Sequence, residues 1–422
     1  MRQYIAALLT LIILAPAAFA ENPQAILDLQ SGARTDANAD WWPRTPEDAT
    51  GAIQAAIDSG AKTVTIPYIG QPWIVRPLKL RANLELVFEP GVVVLAKEGE
   101  FRGKGDSLFT AADATDITLR GYGATLRMRK KDYQNPPYDK AEWRMGLAFR
   151  GCERVRIEGL RIESSGGDGI YIGATKDKPY CKDVVIRDVT CHDHHRQGIS
   201  IITAENLLIE NCTLSGTRGT APQAGIDFEP NNANERLVNC VMRNCLVEGN
   251  AGDGIEFYLR PLSRDTLPIS IVVENCLVRG GDRSGIVVSA LEDDAPTGTI
   301  DIRNCVVENT AREGIVVTNK AVTSARVRFT NCSVYGVWPD AQSTPDKPQV
   351  PILINTTPKV TTTNPGGIDF IDCHVYDTVA RPVIAIAASA QDITGTLHIH
   401  NPNAVPPILT GEGATLQMVV RP

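Results

Sequence analysis

The amino-acid sequence predicts an all-β fold, a right-handed parallel β-helix in which one coil follows another about every 29 residues. Three observations predict it. A short Gly-Ile strand recurs at a nearly fixed interval, a second apolar strand lies between each pair, and no amphipathic helical pattern separates them. A chain of 422 residues would otherwise suggest two or three domains, but a solenoid grows by adding coils. We therefore expect a single domain over residues 21–422.

The first twenty residues have the layout of an export signal. Arg2 precedes an apolar run from Tyr4 to Leu14, and the segment ends on small residues at Ala18 and Ala20. The run is too short for a membrane span, and no later segment resembles one. We expect residues 1–20 to be a signal peptide cleaved after Ala20. The mature protein is then periplasmic or secreted and has no membrane span.

Residues 45–61 predict a helix that covers the N-terminal end of the solenoid. Thr45 and the proline after it suit a helix start, acidic residues follow in the first turn, and Gly60 suits the end. The exposed strand edges of a first coil need such a cover. Beyond this N-terminal cap we assign residues 62–335 to the main coils. Residues 336–422 are assigned to irregular last coils and a C-terminal cap.

Six short apolar strands that begin with Gly-Ile define the repeat. The intervals between their glycines are 27 to 31 residues. The second strands, such as NLLIENCTL and SIVVENCLV, are rich in Val and Ile, and the turns carry Gly, Asn and Asp. A leucine-rich repeat would show a denser Leu framework, and a propeller blade needs four strands. The six glycines are Gly169, Gly198, Gly225, Gly254, Gly285 and Gly314.

Six of the ten cysteines occupy one position of the repeat. Five directly follow an Asn and the sixth follows Asp372, each within an alternating apolar stretch. This regular placement predicts a ladder of free, buried thiols that behave as small apolar residues. A metal or redox role is disfavoured because no close C-x-x-C pair is present. The six residues are Cys212, Cys245, Cys276, Cys305, Cys332 and Cys373.

Alternation along the Gly-Ile strands predicts an acidic outer surface. If each Ile points inward, the residue after it points to solvent, as does the residue before the glycine. The outward column through the strand centres would be Tyr171, Ser200, Asp227, Glu256 and Val287, stacked about 4.8 Å apart. The carboxyls collected on this face, which we call the carboxylate ledge, are those of Asp168, Asp227, Glu229, Asp253 and Glu256.

The carboxylate ledge suits acid–base chemistry. Closely packed carboxylates raise some pKa values by mutual repulsion, which leaves one carboxyl protonated beside an ionised one. Glycoside hydrolysis needs an acid for the leaving oxygen and a base or nucleophile. All five residues of the ledge are therefore candidate catalytic residues. Side-chain freedom exceeds the difference in spacing between retaining and inverting pairs, so both outcomes stay open, with inversion preferred. No cofactor is required. The alternatives are a solvated acidic face and a Ca²⁺ site, because clustered carboxylates suit hard cations.

Candidate substrate-binding residues lie on strands and loops around the ledge. The segment CHDHHRQ at 191–197 precedes the second Gly-Ile strand, and its Arg can hold a carboxylate through two hydrogen bonds. The alternative is a polar turn with solvated histidines. Aromatic rings in the insert at 130–144 suit stacking on sugars, or else pack over the barrel. The candidates are His195, Arg196, Gln197, Tyr171, Arg218, Gln223, Tyr258 and Trp143, with Tyr133 and Tyr138 on the same insert as Trp143.

The pattern resembles the pectate-lyase-like superfamily of right-handed β-helices over residues 45 to about 400. The matching features are AIQAAIDSGAKTVTIP near the N-terminus and the repeated V-x-I-x-N-C and G-I-x-[IVF] strands. The resemblance implies the fold but no single activity, because the superfamily contains hydrolases, lyases, epimerases, esterases and phage tailspikes. GGDGIYIG looks like the polygalacturonase segment N-T-D-G-x-D without its Asn or second Asp. The D-P-H-D motif of mannuronan epimerases is absent.

Charge ranks the functions that remain. The formal net charge is -7 and no basic stripe is present, which disfavours a nucleic-acid partner. An acidic ledge repels a polyuronate unless Ca²⁺ bridges the two, whereas a neutral glycan meets no repulsion. We expect a polysaccharide or oligosaccharide substrate and a hydrolase acting as a monomer. A Ca²⁺-assisted lyase or uronate epimerase comes second, and a non-catalytic glycan-binding protein third.

Overall fold

The computed structural model describes residues 22–344, 347–357, 364–403, 405–409 and 413–421. The predicted signal peptide lies outside these residues. The described chain forms a parallel β-helix in which each coil contributes three strands, and the strands stack in parallel into three columns. No helix in the described ranges is long and apolar enough to cross a membrane. The predicted fold class is confirmed.

The first column contains the longer strands, and two strands near the C-terminus run on into the second column. In chain order the strands of the first column are Asp36–Asn38, Thr63–Ile66, Leu84–Phe88, Thr115–Arg120, Glu153–Glu158, Cys181–Arg187, Ala204–Glu210, Leu237–Arg243, Ile269–Glu274, Gly298–Arg303, Arg326–Thr330, Gly366–Tyr376, Gln391–His400 and Gly413–Ala414.

The second column contains short strands, each reached from the first column by a sharp corner. They are Trp73–Val75, Val93–Ala96, Thr125–Arg127, Arg161–Glu163, Thr190–His192, Thr213–Ser215, Leu246–Glu248, Leu277–Arg279, Val306–Glu308, Ser333–Tyr335 and Gln417–Arg421, with Gly366–Tyr376 and Gln391–His400 shared.

The third column contains the Gly-Ile strands and their equivalents at both ends of the solenoid. These are Leu78–Lys79, Phe109–Ala112, Leu147–Arg150, Ile170–Gly173, Ile199–Ile201, Ile226–Phe228, Ile255–Tyr258, Ile286–Leu291, Ile315–Lys320, Ile352–Asn355, Ile384–Ile386 and Ile408–Leu409. The stack therefore continues well beyond residue 335, with register shifts between Phe370 and Cys373 and between Gln391 and Ile393, and parts of the Pro-rich inserts fall outside the described residues.

The corner between the first two columns explains the Asn-Cys repeat. The apolar stretch expected to be one strand is two strands, because the Asn between them turns the chain with a positive φ, +55° at Asn211 and +54° at Asn244. Asn tolerates this left-handed conformation better than most residues. The cysteine that follows then points into the core. All ten cysteines are free and buried, which confirms the prediction for the six of the repeat.

The glycine before each third-column Ile is required by close packing. A Cβ on Gly254 would overlap the Cγ1 atom of Val278 and lie 2.6 Å from the carbonyl oxygen of Gly285 on the next coil. The corner from the second column into the third therefore leaves no room for a side chain. This repeated contact is the physical reason for the glycine period in the sequence.

The N-terminal helix begins later than predicted. Thr45 and Asp48 form a tight turn, and the Asp48 carboxylate accepts a hydrogen bond from the backbone N of Thr50. The α-helix therefore runs from Thr50 to Asp58, so the acidic residues precede its first turn. A second α-helix, Pro23–Gln30, was not predicted, and 3₁₀ turns occupy Ala39–Trp41 and Asp132–Gln134.

Candidate active site

The carboxylate ledge lies on the outer face of the third column in the predicted register. Tyr171, Ser200, Asp227, Glu256 and Val287 are successive Cα partners on neighbouring coils. Their neighbours Ile226 and Ile255 point into the core. The alternation of the Gly-Ile strands therefore places the carboxyls side by side, one coil apart.

The ledge is not the solvent-facing surface that alternation suggested. Asp168 is fully buried, Asp227 is only 1% exposed, and Asp253 is also buried. Glu229 and Glu256, whose side chains are longer, remain partly exposed. The prediction of full solvent exposure was wrong because residues of the 191–197 turn and of the 130–144 insert contribute side chains that lie over the ledge.

Arg196 lies among the carboxylates and contacts three acidic residues. Its Nη2 donates to Glu229 Oε2 at 2.8 Å, its Nη1 is 3.9 Å from Asp168 Oδ1, and its Nε is 3.7 Å from Glu142 Oε2. Charge-assisted hydrogen bonds of this kind are among the strong ones. The guanidinium therefore forms an ion pair with Glu229 and links the ledge to the 130–144 insert.

Two neutral side chains donate hydrogen bonds to carboxyl groups of the ledge. Gln197 Nε2 donates to Asp227 Oδ2 at 3.1 Å and to Glu229 Oε2 at 3.4 Å, and Ser200 Oγ donates to Asp168 Oδ2 at 2.8 Å. The second oxygens of Asp168 and Asp227 have no hydrogen-bond partner, nor does Glu256 Oε2. An acceptor without a donor suits a protonated carboxyl better than an ionised one, because burying an unpaired charge is costly.

The ledge holds protons near neutral pH. Burial raises the pKa of Asp168 to about 7 and that of Glu256 to about 8, with the Asp253 charge adding to the shift at Glu256. Burial and the nearby Glu256 charge hold the pKa of Asp227 well above its usual range. Burial also raises the pKa of Asp253. Carboxyls with raised pKa values therefore lie beside Glu229, which is paired with Arg196.

A cleft of about 480 Å³ lies at the 130–144 insert and is connected to the ledge through the contact of Glu142 with Arg196. Its walls include Trp143, which is 49% exposed, and Glu142, which contacts Arg196. His195 forms the opposite wall, and burial lowers the pKa of this histidine, so its ring is neutral at pH 7. Lys140 also lines the cleft. The cleft thus offers an aromatic face and polar groups next to the carboxyls.

The insert itself is rigidly attached to the solenoid. The buried Arg144 donates to the carbonyl oxygen of Phe101, and its guanidinium lies 5.5 Å from the ring of Tyr133 and 5.6 Å from that of Tyr138. Tyr133 is fully buried, so the proposal that it stacks on a sugar is wrong, and Tyr138 is largely packed as well. Trp143 keeps an exposed ring.

Three other candidates lie further from the carboxyls or are bound elsewhere. Arg218 is exposed and pairs with Asp282 at 2.8 Å. Gln223 accepts a hydrogen bond from the backbone of Gly219, which shapes the loop. The ring of Tyr171 packs against the Arg150 guanidinium, 4.7 Å from its centroid.

Tyr258 follows Glu256 by two residues on the same strand and the same outer face, and it is partly exposed. It is therefore positioned beside the partly exposed carboxyls of Glu256 and Glu229.

Two residues of the site were not singled out from the sequence. Glu142 reaches Arg196 across more than fifty residues of chain, and no local signal could have revealed that contact. Ser200 was assigned to the outward column, and only the structure shows it donating to Asp168. Within the described residues, no group of three or more His, Cys, Asp or Glu side chains is arranged to hold a metal ion.

A larger groove, about 940 Å³, lies on the first column and contains none of the predicted site residues. Its floor is aliphatic at Val185, Leu208 and Val241, and its carboxylates include Asp116, which is held by Arg154 at 2.7 Å. The groove therefore lies apart from the carboxylate ledge.

The fold and the sequence together define the class of protein. The family model for the right-handed β-helix region matches residues 140–263 and 270–364, just over half of the chain and including the whole ledge. The chain belongs to this right-handed β-helix family.

Two curated relatives come from Bacillus subtilis. The SPbeta prophage-derived uncharacterized protein YorA is 28% identical over 170 residues, covering 38% of this chain and 29% of YorA. The uncharacterized protein YclG is 26% identical over 186 residues, covering 41% of this chain and 32% of YclG. The match thus spans about a third of the length of each relative.

Solved structures of similar fold include three from different sources. The A-module of mannuronan C-5 epimerase AlgE4 from Azotobacter vinelandii has a TM-score of 0.66 at 16% identity, covering 90% of this chain and 100% of the module. The tailspike protein of E. coli bacteriophage HK620, in complex with a pentasaccharide, has a TM-score of 0.61 at 13% identity, covering 90% and 71%. A family 28 exopolygalacturonase of Yersinia enterocolitica has a TM-score of 0.52 at 14% identity, covering 92% and 78%. At such identities the similarity concerns the fold alone.

Proposed function

We propose that this chain is an exported polysaccharide-acting enzyme and that its reaction is glycoside hydrolysis at the carboxylate ledge. One observation carries the proposal: Glu256, a partly exposed residue whose carboxyl has a raised pKa, lies one coil from the carboxylate of Glu229, which is paired with Arg196. An acid and a base presented together on a surface are what cleavage of a glycosidic bond requires.

In this proposal Glu256 protonates the leaving glycosidic oxygen. Glu229 is the base that removes a proton from the attacking water, and Arg196 pairs with its carboxylate. Asp227 precedes Glu229 by two residues and is the Cα partner of Glu256. Buried carboxyls around Glu256 disfavour its ionised form, so the acid remains protonated near neutral pH.

The spacing of acid and base supports inversion. Glu256 and Asp227 are in register on neighbouring strands, about 4.8 Å apart, and Glu229 lies two residues further along its strand, about 6.6 Å. The two Cα atoms are then roughly 8 Å apart. The range of about 6.5–9.5 Å typical of inverting enzymes refers to the carboxyl groups, so inversion requires that the side chains of Glu256 and Glu229 keep a comparable separation, with room for a water between them.

The charge of the site supports a neutral glycan. The two arginines that contact the carboxyls are already paired, Arg196 with Glu229, Asp168 and Glu142, and Arg283 with Asp253 at 3.8 Å. A uronate would bring another negative charge to a site in which both arginines already pair with carboxylates of the protein. The exposed ring of Trp143 offers an apolar face to a pyranose in the adjoining cleft.

The second candidate is a polysaccharide lyase or uronate epimerase assisted by Ca²⁺. Its support is the fold-level similarity to a mannuronan C-5 epimerase module over that module's full length. A glycan-binding protein without turnover is the third, supported by the tailspike solved with a pentasaccharide. All three share a polysaccharide ligand.

A digestion panel separates the candidates. Plant, algal and bacterial polysaccharides are incubated with the protein, with and without EDTA, and both reducing ends and absorbance near 235 nm are read. Hydrolysis produces reducing ends without absorbance, and NMR of the first product then shows an inverted anomer. Absorbance that EDTA abolishes would overturn hydrolysis in favour of a Ca²⁺-dependent lyase. Proton exchange at C5 without new ends would indicate an epimerase, and binding without any product a non-catalytic protein.

A further inference from the structure

Two tyrosine rings protrude from the corner between the first and second columns, whereas the ledge lies on the third column. Tyr68 is 59% exposed and Tyr122 is 51% exposed, which is unusual for rings on an otherwise well-packed solenoid. Ile66 pairs with Phe88 and Val87 pairs with Arg120, so the two tyrosines occupy equivalent corners two coils apart. That separation is about 10 Å along the axis.

Each ring lies flat on a glycine of the following coil. A Cβ built on Gly159 would lie 2.5 to 2.7 Å from three ring atoms of Tyr122, and one on Gly91 would lie 3.2 Å from the Tyr68 ring. One face of each ring is therefore covered by glycine backbone while the other face is open. Tyr122 is fixed further, because its hydroxyl donates to Asp188 Oδ2 at 2.7 Å.

The exposed Pro90 lies between the rings on the intervening coil, at the equivalent corner. The three residues form a narrow strip parallel to the solenoid axis, which we call the Tyr-Pro-Tyr strip. It is bordered by carboxylates of Glu89 and Asp188, and the nearby Arg187 is already paired with Glu210. The strip is thus apolar and flat at its centre and acidic at its border.

We propose that the Tyr-Pro-Tyr strip is a second glycan-binding surface, which holds an extended, uncharged polysaccharide by stacking of its pyranose rings on Tyr68 and Tyr122. Two open aromatic faces about 10 Å apart along one axis suit a polymer of flat apolar faces with polar edges. Hydroxyl groups of such a chain can donate to the bordering carboxylates. Those same carboxylates repel an acidic polymer, and the strip is too narrow for the contiguous apolar patch that a protein partner needs.

The proposal does not depend on which reaction the ledge performs. The strip lies on a corner of the first and second columns, whereas the ledge lies on the third column. A polymer held at the strip would raise the local concentration of substrate at the ledge without touching the reacting atoms. The two sites can therefore be tested separately.

The test uses the full chain in affinity gel electrophoresis. Gels contain a neutral β-glucan, a galactomannan or polygalacturonate, and all chains carry Glu256→Gln so that no polymer is cleaved. We expect a neutral polymer to retard the parent, and Tyr68→Ser with Tyr122→Ser to weaken that retardation by about tenfold or more. Tyr68→Phe with Tyr122→Phe keeps the rings and should keep the retardation. Leu267→Ser removes another exposed apolar side chain and should change nothing.

Three results would contradict the proposal that the strip binds a glycan. They are equal retardation of the Ser and parent chains, retardation by polygalacturonate alone, and the lack of retardation by every polymer. Hydrolysis of a short soluble oligosaccharide by the wild-type ledge, with and without the Ser pair, is measured in parallel. If both chains hydrolyse the oligosaccharide and the Ser pair leaves the retardation unchanged, the proposal for the strip is contradicted and the catalytic proposal stands.

Discussion

Asp227 and Glu256 are Cα partners on neighbouring coils, and the charge of Glu256 adds to burial in holding the pKa of Asp227 far above its usual range. The parallel register of the solenoid forces this proximity, since identical positions of successive coils lie about 4.8 Å apart. A proton shared within this pair titrates as a property of the pair. Substitutions at the ledge and in the surrounding fold test that arrangement.

Replacing the proposed acid removes activity without unfolding the protein. Glu256→Gln is expected to lower kcat by about 10² to 10⁴, because an amide keeps the side-chain size but cannot protonate the leaving oxygen. Reducing ends released from the polymer identified in the digestion panel provide the measurement. Glu248→Gln, on the outer face of the second column, is the matched control and should retain full activity. Normal kcat in Glu256→Gln would exclude this residue as the acid.

The activity of the wild-type chain should fall on the alkaline side of about pH 8, where Glu256 loses its proton. The Asp253 charge contributes to the raised pKa of Glu256, so Asp253→Asn should move this alkaline limb to lower pH. A pH profile of kcat for both chains provides the measurement. An alkaline limb that stays in place in Asp253→Asn would show that Asp253 does not set the pKa of the acid.

The buried Asp168 should destabilise the fold as the pH rises. Its pKa is raised from 3.8 to about 7, so the folded chain keeps a proton that the unfolded chain releases, and stability is lost between about pH 4 and pH 7. Asp168→Asn should therefore unfold like the parent at pH 4 and be more stable at pH 8, by an amount of the order of 4 kcal/mol. Urea unfolding at the two pH values provides the measurement.

Asp301→Asn, on the outer face of the first column, serves as the control for Asp168→Asn and should show no such pH-dependent gain. A gain at pH 8 that equals the gain at pH 4 would contradict the assignment, because it would not depend on ionisation.

The glycines of the third column tolerate no side chain. Gly254→Ala is expected to lower the free energy of unfolding by about 1 to 3 kcal/mol, because its Cβ would overlap Val278 and crowd Gly285. Gly51 offers a matched control: it lies in the helix Thr50–Asp58, and a Cβ added there would meet nothing within 4 Å, so Gly51→Ala should stabilise the fold by about 0.5 to 1 kcal/mol. Thermal unfolding of both variants tests the pair, and similar shifts in the two would contradict the packing account.

All ten thiols should be free but unreactive in the folded protein. All ten cysteines are buried in the core of the solenoid, so a reagent in solution does not reach their thiols. A thiol reagent should label none of them in buffer and all ten after denaturation without reductant. Fewer than ten labelled thiols in the denatured chain would reveal disulfides and contradict the ladder of free cysteines.

Much of the fold could be predicted because it depends on local repetition. The glycine of each Gly-Ile pair and the Asn-Cys pair recur at the same point of every coil, and each corresponds to a conformational or packing requirement of a corner. The start of the helix at Thr50 could not be predicted, since the acidic residues that suggested an earlier start belong to a tight turn.

The residues that form the ledge could be predicted from the sequence, but their burial and the residues that contact them could not. Strand alternation is a local property with a period of two residues, so it assigns Asp227 and Glu256 to one face whatever surrounds them. The burial of Asp168, the contact between Arg196 and Glu142, and the burial of Tyr133 depend on segments that meet only in the folded chain.

The sequence by itself therefore determined the solenoid, its register and the identity of the carboxyls on its outer face, since each of these follows from a repeated local pattern. Only the tertiary structure decided which carboxyls hold a proton, because desolvation and the distance to Arg196 are set by loops from several coils. The period of the sequence specifies on which face of the strand a side chain lies. The pKa of a group on that face depends on all the residues that the fold brings within a few ångströms of it.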